Sequence, residues 1–419
     1  MRKMRVFLGT QEIGKSEIEK ILKDMECELK WYGAKEGNMV LCRSKTQLGN
    51  VLQWWLCKRM NLLPIFVAPD FRIANHKAIQ HYSVRFVIDI DQKNQFTIHK
   101  NSCLKQTVSL DIPSGSIVQM TSATTGEAKM VLRTADTIVA ETRRYQQFMK
   151  FEEQDRFITM APFYHSYAFF CVLLMCEMVS ADLILPDIIL PRRIIELSKQ
   201  TQATCLYAIP YFLQKMVEVE QYSELGNNMR YVMSTSQKIP EQLAVEFQKK
   251  FGVSMFHQYG STETGCVAIG NVLKEQEFVT PLSEVVFFEK SNLLSQKVLC
   301  VDTKKTLGCY LTEKGIQKLG DENGFYMTND KAKFREDGTA KLMGRADRVL
   351  IRAGEKINGS YVEKILMRFP GIKKAAVSLN EKNQLVCKYE AKQECAFKEL
   401  KKTLRKIFIT LSDTRTIHF

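Results

Sequence analysis

Residues 118–129 read V-Q-M-T-S-A-T-T-G-E-A-K. An apolar, strand-like run ends here in a loop rich in hydroxyl side chains, with one glycine and one lysine: Thr121, Ser122, Thr124, Thr125, Gly126 and Lys129. Hydroxyls, the backbone N–H groups of a tight glycine turn and an ammonium group are the groups that surround a polyphosphate. The Walker pattern cannot be written here, and clusters of Ser, Thr and Gly are commonly plain loops. This stretch alone leaves both a phosphate cradle and a plain loop open.

The length and composition are those of an ordinary globular protein. With 419 residues and an apolar fraction of 45%, the chain has room for two or three domains. Its 12 cysteines are scattered, and the nearest pair, Cys171 and Cys176, lies five positions apart, which excludes a zinc ribbon and a C-x-x-C redox motif. We therefore expect a reduced, cytoplasmic setting.

The apolar runs are short. The start, M-R-K-M-R-V-F-L-G, has too few apolar residues for a secretory signal. The longest uncharged apolar run covers residues 166–176, which is too short to cross a bilayer. The sequence predicts a soluble protein with no membrane span.

The charge is unevenly distributed. The net charge is +14, and from Arg345 onward 17 Lys and Arg stand against 8 Asp and Glu, so +9 lies in the last 75 residues. No aromatic-basic signature, zinc knuckle or basic low-complexity tail points to nucleic acid. An acidic protein, a phosphorylated ligand or a plainly solvated basic surface fits this charge.

Strand-like and helix-like stretches alternate from Met39 to Asp91, which predicts an α/β fold with parallel strands and crossover helices. His165 follows an apolar strand that ends at a proline and leads into an apolar helix. Polar residues after the carboxyl ends of strands mark the ligand edge of open α/β sheets. The predicted helices cover residues 47–59, 74–81, 135–148 and 240–251, and further strands are predicted within residues 204–210, 229–236 and 253–257.

The pattern of predicted elements changes in the last third of the chain. Short alternating runs over residues 278–317 predict a β subdomain. Beyond Asp330, a helix over residues 361–369, strands over 374–379 and 385–389, and a basic amphipathic helix over 397–408 predict a compact α+β unit. We place the boundary at Gly344, which divides the chain into a core domain, 1–343, and a small C-terminal domain, 344–419.

Four stretches now stand in a fixed order. They are T-S-A-T-T-G-E-A-K (121–129), P-F-Y-H (162–165), Y-G-S-T-E-T-G (259–265), and F-Y-M-T-N-D (325–330) followed by G-R-A-D-R-V-L-I-R-A-G-E-K-I (344–357). Together they resemble the adenylate-forming superfamily, which includes acyl- and aryl-CoA synthetases, adenylation domains of peptide synthetases, and luciferases. The resemblance covers roughly residues 40 to 419.

The resemblance implies a reaction and a fold. ATP and a carboxylic acid form an acyl-adenylate and pyrophosphate, and the acyl group then passes to a phosphopantetheine thiol of CoA or of an acyl or aryl carrier protein. Such chemistry requires hydroxyl, ammonium and Mg²⁺ groups that neutralise phosphate charge. The implied fold is a large α/β domain of stacked sheets and helices with a β subdomain, followed by a small mobile C-terminal domain.

The resemblance also assigns site residues. The residues of the hydroxyl loop listed above would hold the β- and γ-phosphates, with Lys129 also acting in catalysis. Tyr259, beside Gly260, would stack on adenine, Thr262 would contact the α-phosphate, and Glu263 would ligate Mg²⁺. Each also has a structural alternative: a core aromatic for Tyr259, an exposed helix cap for Glu263 and a turn residue for Asp330. The remaining assignments are Asp330 on the ribose hydroxyls, Arg345 on the nucleotide, Asp347 at the hinge and His165 beside the acid and the thiol path.

Several positions depart from the family pattern. Ala123 replaces a usual glycine, Ala128-Lys129-Met130 stands where Pro-Lys-Gly is common, and Asn329 stands for a glycine before Asp330. The family continues to a Gly-Lys whose lysine reaches the substrate carboxylate and the α-phosphate, whereas the sequence given stops at Phe419. Either this sequence is truncated, or the protein lacks that lysine and adenylates slowly or with another cation.

The identity of the acid stays open. Residues 163–170 contain no carboxylate that would pair with a substrate ammonium, so an amino acid is not expected. Phe169 and Phe170 favour a short pocket and a small aryl or short acyl acid, of the kind used in siderophore or secondary-metabolite biosynthesis. The alternatives are a medium- or long-chain acyl ligase, a non-catalytic homologue that binds nucleotide or carrier, and a nucleic-acid-binding module suggested by charge alone.

Overall fold

The described residues form two compact units, one of residues up to Met343 and the other of residues from Gly344 onward. The computed structural model describes residues 4–71, 79, 81–82, 84–101, 112–121, 129–236, 238–291, 297–303, 305–346, 349–352, 355–367, 372–380 and 384–391. The helices are α1 (Lys15–Trp31), α2 (Gln47–Met60), α3 (Ala135–Met149), α4 (Ser166–Ala168), α5 (Leu174–Val179), α6 (Pro191–Gln200), α7 (Pro210–Val217), α8 (Glu241–Phe251) and α9 (Gly359–Leu366), and a π-helical turn, Phe169–Leu173, joins α4 to α5.

The strands are short, and most lie in the first unit. The first half of them comprises β1 (Val6–Leu8), β2 (Gln11–Glu12), β3 (Met39–Ser44), β4 (Leu63–Val67), β5 (Phe86–Ile90), β6 (Phe96–Lys100), β7 (Ile117–Met120), β8 (Met130–Arg133), β9 (Arg156–Thr159), β10 (Asp182–Leu185), β11 (Cys205–Tyr207), β12 (Tyr231–Ser234) and β13 (Met255–Ser261). The second half comprises β14 (Gly265–Asn271), β15 (Phe278–Pro281), β16 (Val286–Ser291), β17 (Lys297–Asp302), β18 (Cys309–Thr312), β19 (Gly315–Lys318), β20 (Tyr326–Met327), β21 (Asp330–Phe334), β22 (Ala340–Arg345), β23 (Val349–Arg352), β24 (Glu355–Asn358), β25 (Ile372–Leu379) and β26 (Leu385–Ala391).

The larger sheet of the first unit has eleven strands among the described residues, in the order β2-β1-β10-β9-β11-β12-β13-β14-β15-β22-β21. From β1 to β13 the neighbours run parallel. Their sequences, such as D-L-I-L in β10 and C-L-Y in β11, are buried throughout, as expected where helices or a second sheet cover both faces. Apolar residues of α6, α7 and α8, including Ile194, Leu213 and Phe247, pack with this sheet in one core cluster.

The second sheet has the order β19-β18-β8-β7-β4-β3-β5-β6. β3 runs parallel to both β4 and β5, and β4 runs parallel to β7. β7 and β8 form an antiparallel hairpin whose ends are Met120 and Met130. The hydroxyl-rich stretch is therefore the connection of a hairpin between two buried strands.

Helix α2 matches the predicted helix over residues 47–59. The Thr46 hydroxyl caps its start by accepting a hydrogen bond from the Gly49 N–H at 3.0 Å. Trp54 is buried against the ring of Phe169, with ring centroids 5.3 Å apart. The indole N–H groups of Trp54 and Trp55 both donate to the Glu177 carboxylate of α5, so each aromatic ring keeps a partner for its polar atom.

A three-stranded sheet has the order β16-β17-β20; β16 and β17 lie in the region predicted as a β subdomain, and β20 lies beyond it. The second unit contains the hairpins β23–β24 and β25–β26 and helix α9. Its own small core includes Ile357, Val362, Leu366 and Val377. No described helix is long and apolar enough to cross a membrane.

The predicted α/β class is confirmed, and most predicted elements are present within a few residues of their bounds. Two corrections concern the site: β13 continues through Tyr259 and Gly260 to Ser261 instead of ending before them, and the helix after His165 contains a π-helical turn. The predicted helix over residues 74–81 and the basic helix over 397–408 fall largely or wholly outside the described residues. Helix α1 and strands β1 and β2 were not predicted.

Candidate functional site

The parallel strands of the larger sheet bring several predicted residues to one edge. β9 ends at Thr159, β12 at Ser234 and β13 at Ser261. His165 follows β9 and Glu263 follows β13, and the carboxyl ends of parallel strands lie along one edge of a sheet. β13 pairs with β12 only up to His257 and then extends beyond it, pairing with β14 instead. Tyr259 therefore lies beyond the end of the β12 pairing while it remains paired with Ala268 of β14.

The ends of the hydroxyl loop are closed by two hydrogen bonds. The Thr121 N–H donates to the Lys129 carbonyl at 2.9 Å, and the Lys129 N–H donates to the Thr121 hydroxyl at 3.0 Å. Lys129 is exposed at this closed end. Ser122, Thr124, Thr125 and Gly126 lie outside the described residues, so their contact with phosphate stays a prediction.

The turn after β13 is tied together internally. The Ser261 N–H donates to the Thr264 hydroxyl at 3.1 Å, and the Thr264 N–H donates back to the Ser261 hydroxyl at 3.2 Å. A Cβ atom on Gly260 would overlap the Gly265 carbonyl oxygen, so the motif needs glycine there for packing as well. Glu263, within this turn, is buried.

A buried ion pair contacts the backbone of the turn that carries Glu263. The Arg133 guanidinium and the Glu141 carboxylate lie 2.7 Å apart, with side-chain exposures of 0% and 2%. The other Glu141 oxygen accepts the Cys266 N–H at 2.8 Å, and Arg133 donates to the Thr262 carbonyl at 3.4 Å. A Cβ atom on Gly265, where φ is +69°, would collide with the same carboxylate. The pair fixes the backbone on which Thr262 and Glu263 stand.

The Glu263 carboxylate contacts a residue that the sequence did not indicate. The Tyr310 hydroxyl donates to Glu263 Oε1 at 2.8 Å. The Lys129 ammonium lies 4.6 Å from the centre of the Tyr310 ring, within the range of a cation–π interaction. Burial, followed by the negative charge of Glu263, raises the pKa of the Tyr310 hydroxyl above its usual range, so it remains a donor at neutral pH.

Tyr259 and Asp330 are brought together directly. The Tyr259 hydroxyl donates to Asp330 Oδ2 at 2.6 Å, and the Asp330 N–H donates to the Thr328 hydroxyl at 3.1 Å. Asn329, which lies between Thr328 and Asp330 in the sequence, has φ of +61°. This is a left-handed conformation that asparagine tolerates better than most residues. This explains how asparagine stands where the family has glycine.

Tyr326 connects these two groups of residues. Tyr326 lies near Glu263, Tyr310 and Tyr259. Burial, and then the negative charge of Glu263, raises the pKa of the Tyr326 hydroxyl well above its usual value. The predicted phosphate, metal and nucleoside residues thus share one neighbourhood.

His165 is more exposed than Glu263. It precedes α4, its N–H donates to the Pro162 carbonyl at 3.1 Å, and its ring packs on Tyr164 with centroids 4.6 Å apart. Desolvation by the surrounding protein lowers the pKa of His165 to about 4, yet the side chain is exposed. The downward shift favours neutral imidazole at pH 7.

Below the sheet edge lies a buried polar cluster. The Tyr145 and Tyr207 hydroxyls are 2.8 Å apart, and Tyr145 also donates to Gln258 Oε1 at 3.1 Å. The Gln258 amide donates to the Cys171 sulfur of the π-helical turn at 3.0 Å. Burial raises the pKa of both tyrosines well above their usual value, so the cluster is neutral.

Phe169 and Phe170 were predicted to wall a short acid pocket. Both are fully buried: Phe169 packs on Phe66 with centroids 4.9 Å apart, and Phe170 lies under the Arg133 guanidinium at 5.0 Å. Both belong to the main hydrophobic core. Their part in an acid pocket stays a prediction.

A magnesium ion fits the residues that are present. No cluster of three or more His, Cys, Asp or Glu side chains suited to a metal occurs in the part of the chain that the structure describes. Mg²⁺ is usually held by one or two carboxylates together with substrate phosphates and water, not by a full protein cage. The single carboxylate of Glu263, held at one oxygen by Tyr310 and facing the same neighbourhood as Lys129, suits this arrangement.

Two predicted residues are not placed with this group. Arg345 is the last residue of β22 and falls in the second unit, and Asp347 lies outside the described residues. Their roles stay predictions. The sequence missed Arg133, Glu141 and Tyr310, because a charged residue in a strand or helix and a tyrosine in a short strand carry no spacing signal of their own.

Comparison with known proteins finds a matching family and similar proteins. The family model described as AMP-binding enzyme matches residues 66–285, more than half of the chain. The medium-chain fatty-acid–CoA ligase of Escherichia coli K12 is 27% identical over 324 residues, covering 73% of this chain and 55% of the relative. The 3,4-dihydroxybenzoate–[aryl-carrier protein] ligase of Bacillus anthracis is 26% identical over 262 residues, covering 62% of this chain and 58% of the relative. The matches thus span a little over half the length of these two relatives.

The fold is shared with solved structures. The o-succinylbenzoate CoA synthetase of Bacillus subtilis, solved with a product analogue, superimposes with a TM-score of 0.78 at 16% identity. The match covers 97% of this chain and 89% of that structure. At this identity the comparison supports the fold alone.

Proposed function

This chain belongs to the AMP-binding enzyme family, and we propose that it activates a carboxylic acid with ATP, as an acyl-adenylate, and passes the acyl group to a phosphopantetheine thiol. The observation that carries the proposal is the contact of Glu263 with Tyr310, and of Tyr310 with Lys129, beside the Tyr259–Asp330 hydrogen bond. These residues come from four distant segments of the sequence. Their convergence at the end of β13 supports one nucleotide site.

The chemistry assigned to these residues follows from their charges. A carboxylate oxygen of the acid attacks the α-phosphorus of ATP, the new O–P bond forms, and the bond to pyrophosphate breaks. Lys129 neutralises charge on the outer phosphates, and Asp330 accepts hydrogen bonds from the ribose hydroxyls. When bound at Glu263, Mg²⁺ supplies further positive charge to the phosphate oxygens.

In this proposal, buried contacts preorganise the turn that carries Thr262 and Glu263. The Arg133–Glu141 pair and the Ser261–Thr264 bonds hold the turn before substrate binds. A turn that is already fixed does not need to reorganise as charge develops, which is the main source of electrostatic catalysis. Neutral His165, following β9, stands on the acid side of the same edge in this proposal.

We keep the acid as a small aryl or short acyl acid, with a medium-chain fatty acid as the second candidate. The first rests on the absence of a carboxylate and the presence of aromatic residues in residues 163–170. The second rests on the medium-chain ligase among the relatives. Both CoA and an aryl carrier occur in the relatives' names, and the basic C-terminal part of this chain favours an acidic carrier.

The test is acid-dependent exchange of labelled pyrophosphate into ATP, with a panel of aryl, short-chain and medium-chain acids. The proposal predicts exchange with at least one acid and none without acid or Mg²⁺. Binding of ATP without exchange for any acid in the panel would instead support a non-catalytic nucleotide-binding homologue. For the acid that works best, CoA and an acidic carrier protein are then compared as acceptors at low and high salt, since steering by the basic region weakens with salt.

A further inference from the structure

Tyr310 lies on a segment that holds Glu263 at both its backbone and its side chain. The Gly308 N–H donates to the Glu263 carbonyl at 2.8 Å, and the Thr306 hydroxyl donates to the Thr264 carbonyl at 3.1 Å. Two residues after Gly308, the Tyr310 hydroxyl reaches the Glu263 carboxylate at 2.8 Å. Residues 306–310 therefore fix the turn and also orient its carboxylate.

This segment is itself anchored. The guanidinium of Arg144, a buried residue of α3, donates to the Thr303 carbonyl at 2.7 Å and to the Thr306 hydroxyl at 3.5 Å. The same guanidinium pairs with Glu284 at 3.0 Å. The start of the segment is thus tied to the core through α3, which restricts how far Tyr310 can move from Glu263.

The strand of Tyr310 also adjoins the hydroxyl loop. In the second sheet Leu311 lies opposite Met130 and Tyr310 lies opposite Val131. Met130 directly follows Lys129, whose ammonium stands over the Tyr310 ring at 4.6 Å. One side chain therefore touches the lysine of the loop with its ring and the carboxylate of the turn with its hydroxyl.

From this double contact we infer that Tyr310 is a positioning residue: it aims one oxygen of Glu263 so that the other is free to ligate Mg²⁺ on ATP, and it sets the distance between that carboxylate and Lys129. Without the tyrosine between them, the carboxylate and the ammonium would attract each other directly. A direct Lys129–Glu263 ion pair would occupy both the ammonium assigned to the phosphates and the carboxylate assigned to Mg²⁺. The inference rests on the proposed function, because it assigns Tyr310 to the same nucleotide site.

The test compares Tyr310→Phe with Tyr82→Phe. Tyr310→Phe removes the hydroxyl but keeps the ring beneath Lys129. Tyr82→Phe is a matched control, because the Tyr82 hydroxyl donates to the Thr312 carbonyl on the same strand at 2.6 Å and does not touch Glu263. Calorimetry measures binding of a non-hydrolysable ATP analogue at several Mg²⁺ concentrations, and pyrophosphate exchange gives kcat and KM.

We expect Tyr310→Phe to weaken Mg²⁺-dependent binding of the analogue about three- to tenfold and to raise the Mg²⁺ concentration needed for half-maximal exchange, with the melting temperature close to wild type. Tyr82→Phe should match wild type in analogue binding and in the Mg²⁺ dependence of exchange, with at most a small fall in melting temperature from its own lost hydrogen bond. Combined with Glu263→Gln, Tyr310→Phe should add almost no further loss, because a residue that acts through Glu263 has nothing left to position.

The outcomes separate the two claims. If wild type binds the Mg²⁺–nucleotide analogue and Tyr310→Phe binds it equally well at every Mg²⁺ concentration, the positioning role is wrong and the proposed function stands. Equal losses in Tyr310→Phe and Tyr82→Phe would show a general effect on β18 and would also overturn the inference. If wild type neither binds the analogue nor exchanges pyrophosphate, the proposed function itself fails.

Discussion

The turn of Glu263 and the helix start of His165 follow strands of the same parallel sheet, but the protein holds them differently. Glu263 is buried, its carbonyl and carboxylate are both hydrogen-bonded, and an ion pair lies beneath its turn. His165 is exposed, its backbone is hydrogen-bonded and its ring contacts Tyr164. This contrast is what the proposed function requires, since it assigns Glu263 to a fixed phosphate geometry and His165 to the more variable acid.

The strongest test of this contrast removes the Arg133–Glu141 ion pair that holds the turn of Glu263. Glu141→Gln leaves the Arg133 guanidinium buried without its counter-charge, which typically costs about 3–5 kcal/mol of folding stability. Thermal unfolding should show a large fall in melting temperature. The exposed pair Arg192–Glu196 provides the control, because Glu196→Gln should leave the melting temperature nearly unchanged. Similar melting temperatures for the two variants would mean that the buried pair does not stabilise the turn.

The second test acts on the carboxylate itself. Glu263→Gln keeps the size and a hydrogen-bonding oxygen for Tyr310, but a neutral amide is a much weaker Mg²⁺ ligand than a carboxylate. Acid-dependent exchange should fall about 10²- to 10³-fold, with the melting temperature preserved. Glu289→Gln, at an exposed position of β16, is the control and should exchange as wild type does. Exchange within about threefold of wild type in Glu263→Gln would remove Glu263 from the mechanism.

A smaller effect is expected at Asp330. Asp330→Ala removes the acceptor assigned to the ribose hydroxyls and the hydrogen bond that it accepts from the Tyr259 hydroxyl. The KM for ATP in the exchange reaction should rise about tenfold, with little change at saturating ATP. Asp337→Ala, in the turn between β21 and β22, should leave this KM unchanged. An unchanged KM in a folded Asp330→Ala protein would reduce Asp330 to a turn residue.

The smallest effect on exchange is expected at His165. His165→Ala should leave the melting temperature unchanged and lower exchange less than about tenfold, mainly through the KM for the acid. The pKa of His165 is shifted downward, so its ring is already neutral above about pH 6 and loses no proton as pH rises to about 8. The pH profiles of wild type and His165→Ala should therefore run parallel over this range. A step near pH 6.5 in wild type that is absent from the variant would contradict a neutral His165.

The sequence and the structure agree where local signals are strong. The predicted helix 240–251 matches α8, and Gly252 takes the left-handed conformation that ends it. The Y-G-S-T-E-T-G pattern located Glu263, but its supports were not predicted. Arg133 and Glu141 lie in a strand and a helix joined through a buried contact, and Tyr310 reaches Glu263 from 47 positions away. Contacts between distant segments depend on sheet order, which a periodic pattern does not encode.

The central claim, that a carboxylate oxygen attacks the α-phosphorus of ATP at this site, has one direct measurement. The acid that best supports exchange is labelled with oxygen-18 in its carboxyl group, and the products of acyl transfer are analysed by mass spectrometry. We predict one labelled oxygen in AMP and none in pyrophosphate, because the acyl–phosphate oxygen stays on phosphorus when the thiol displaces AMP. Labelled AMP should form at a rate that falls in Glu263→Gln as exchange does. Unlabelled AMP, or label in phosphate released with ADP, would contradict the account.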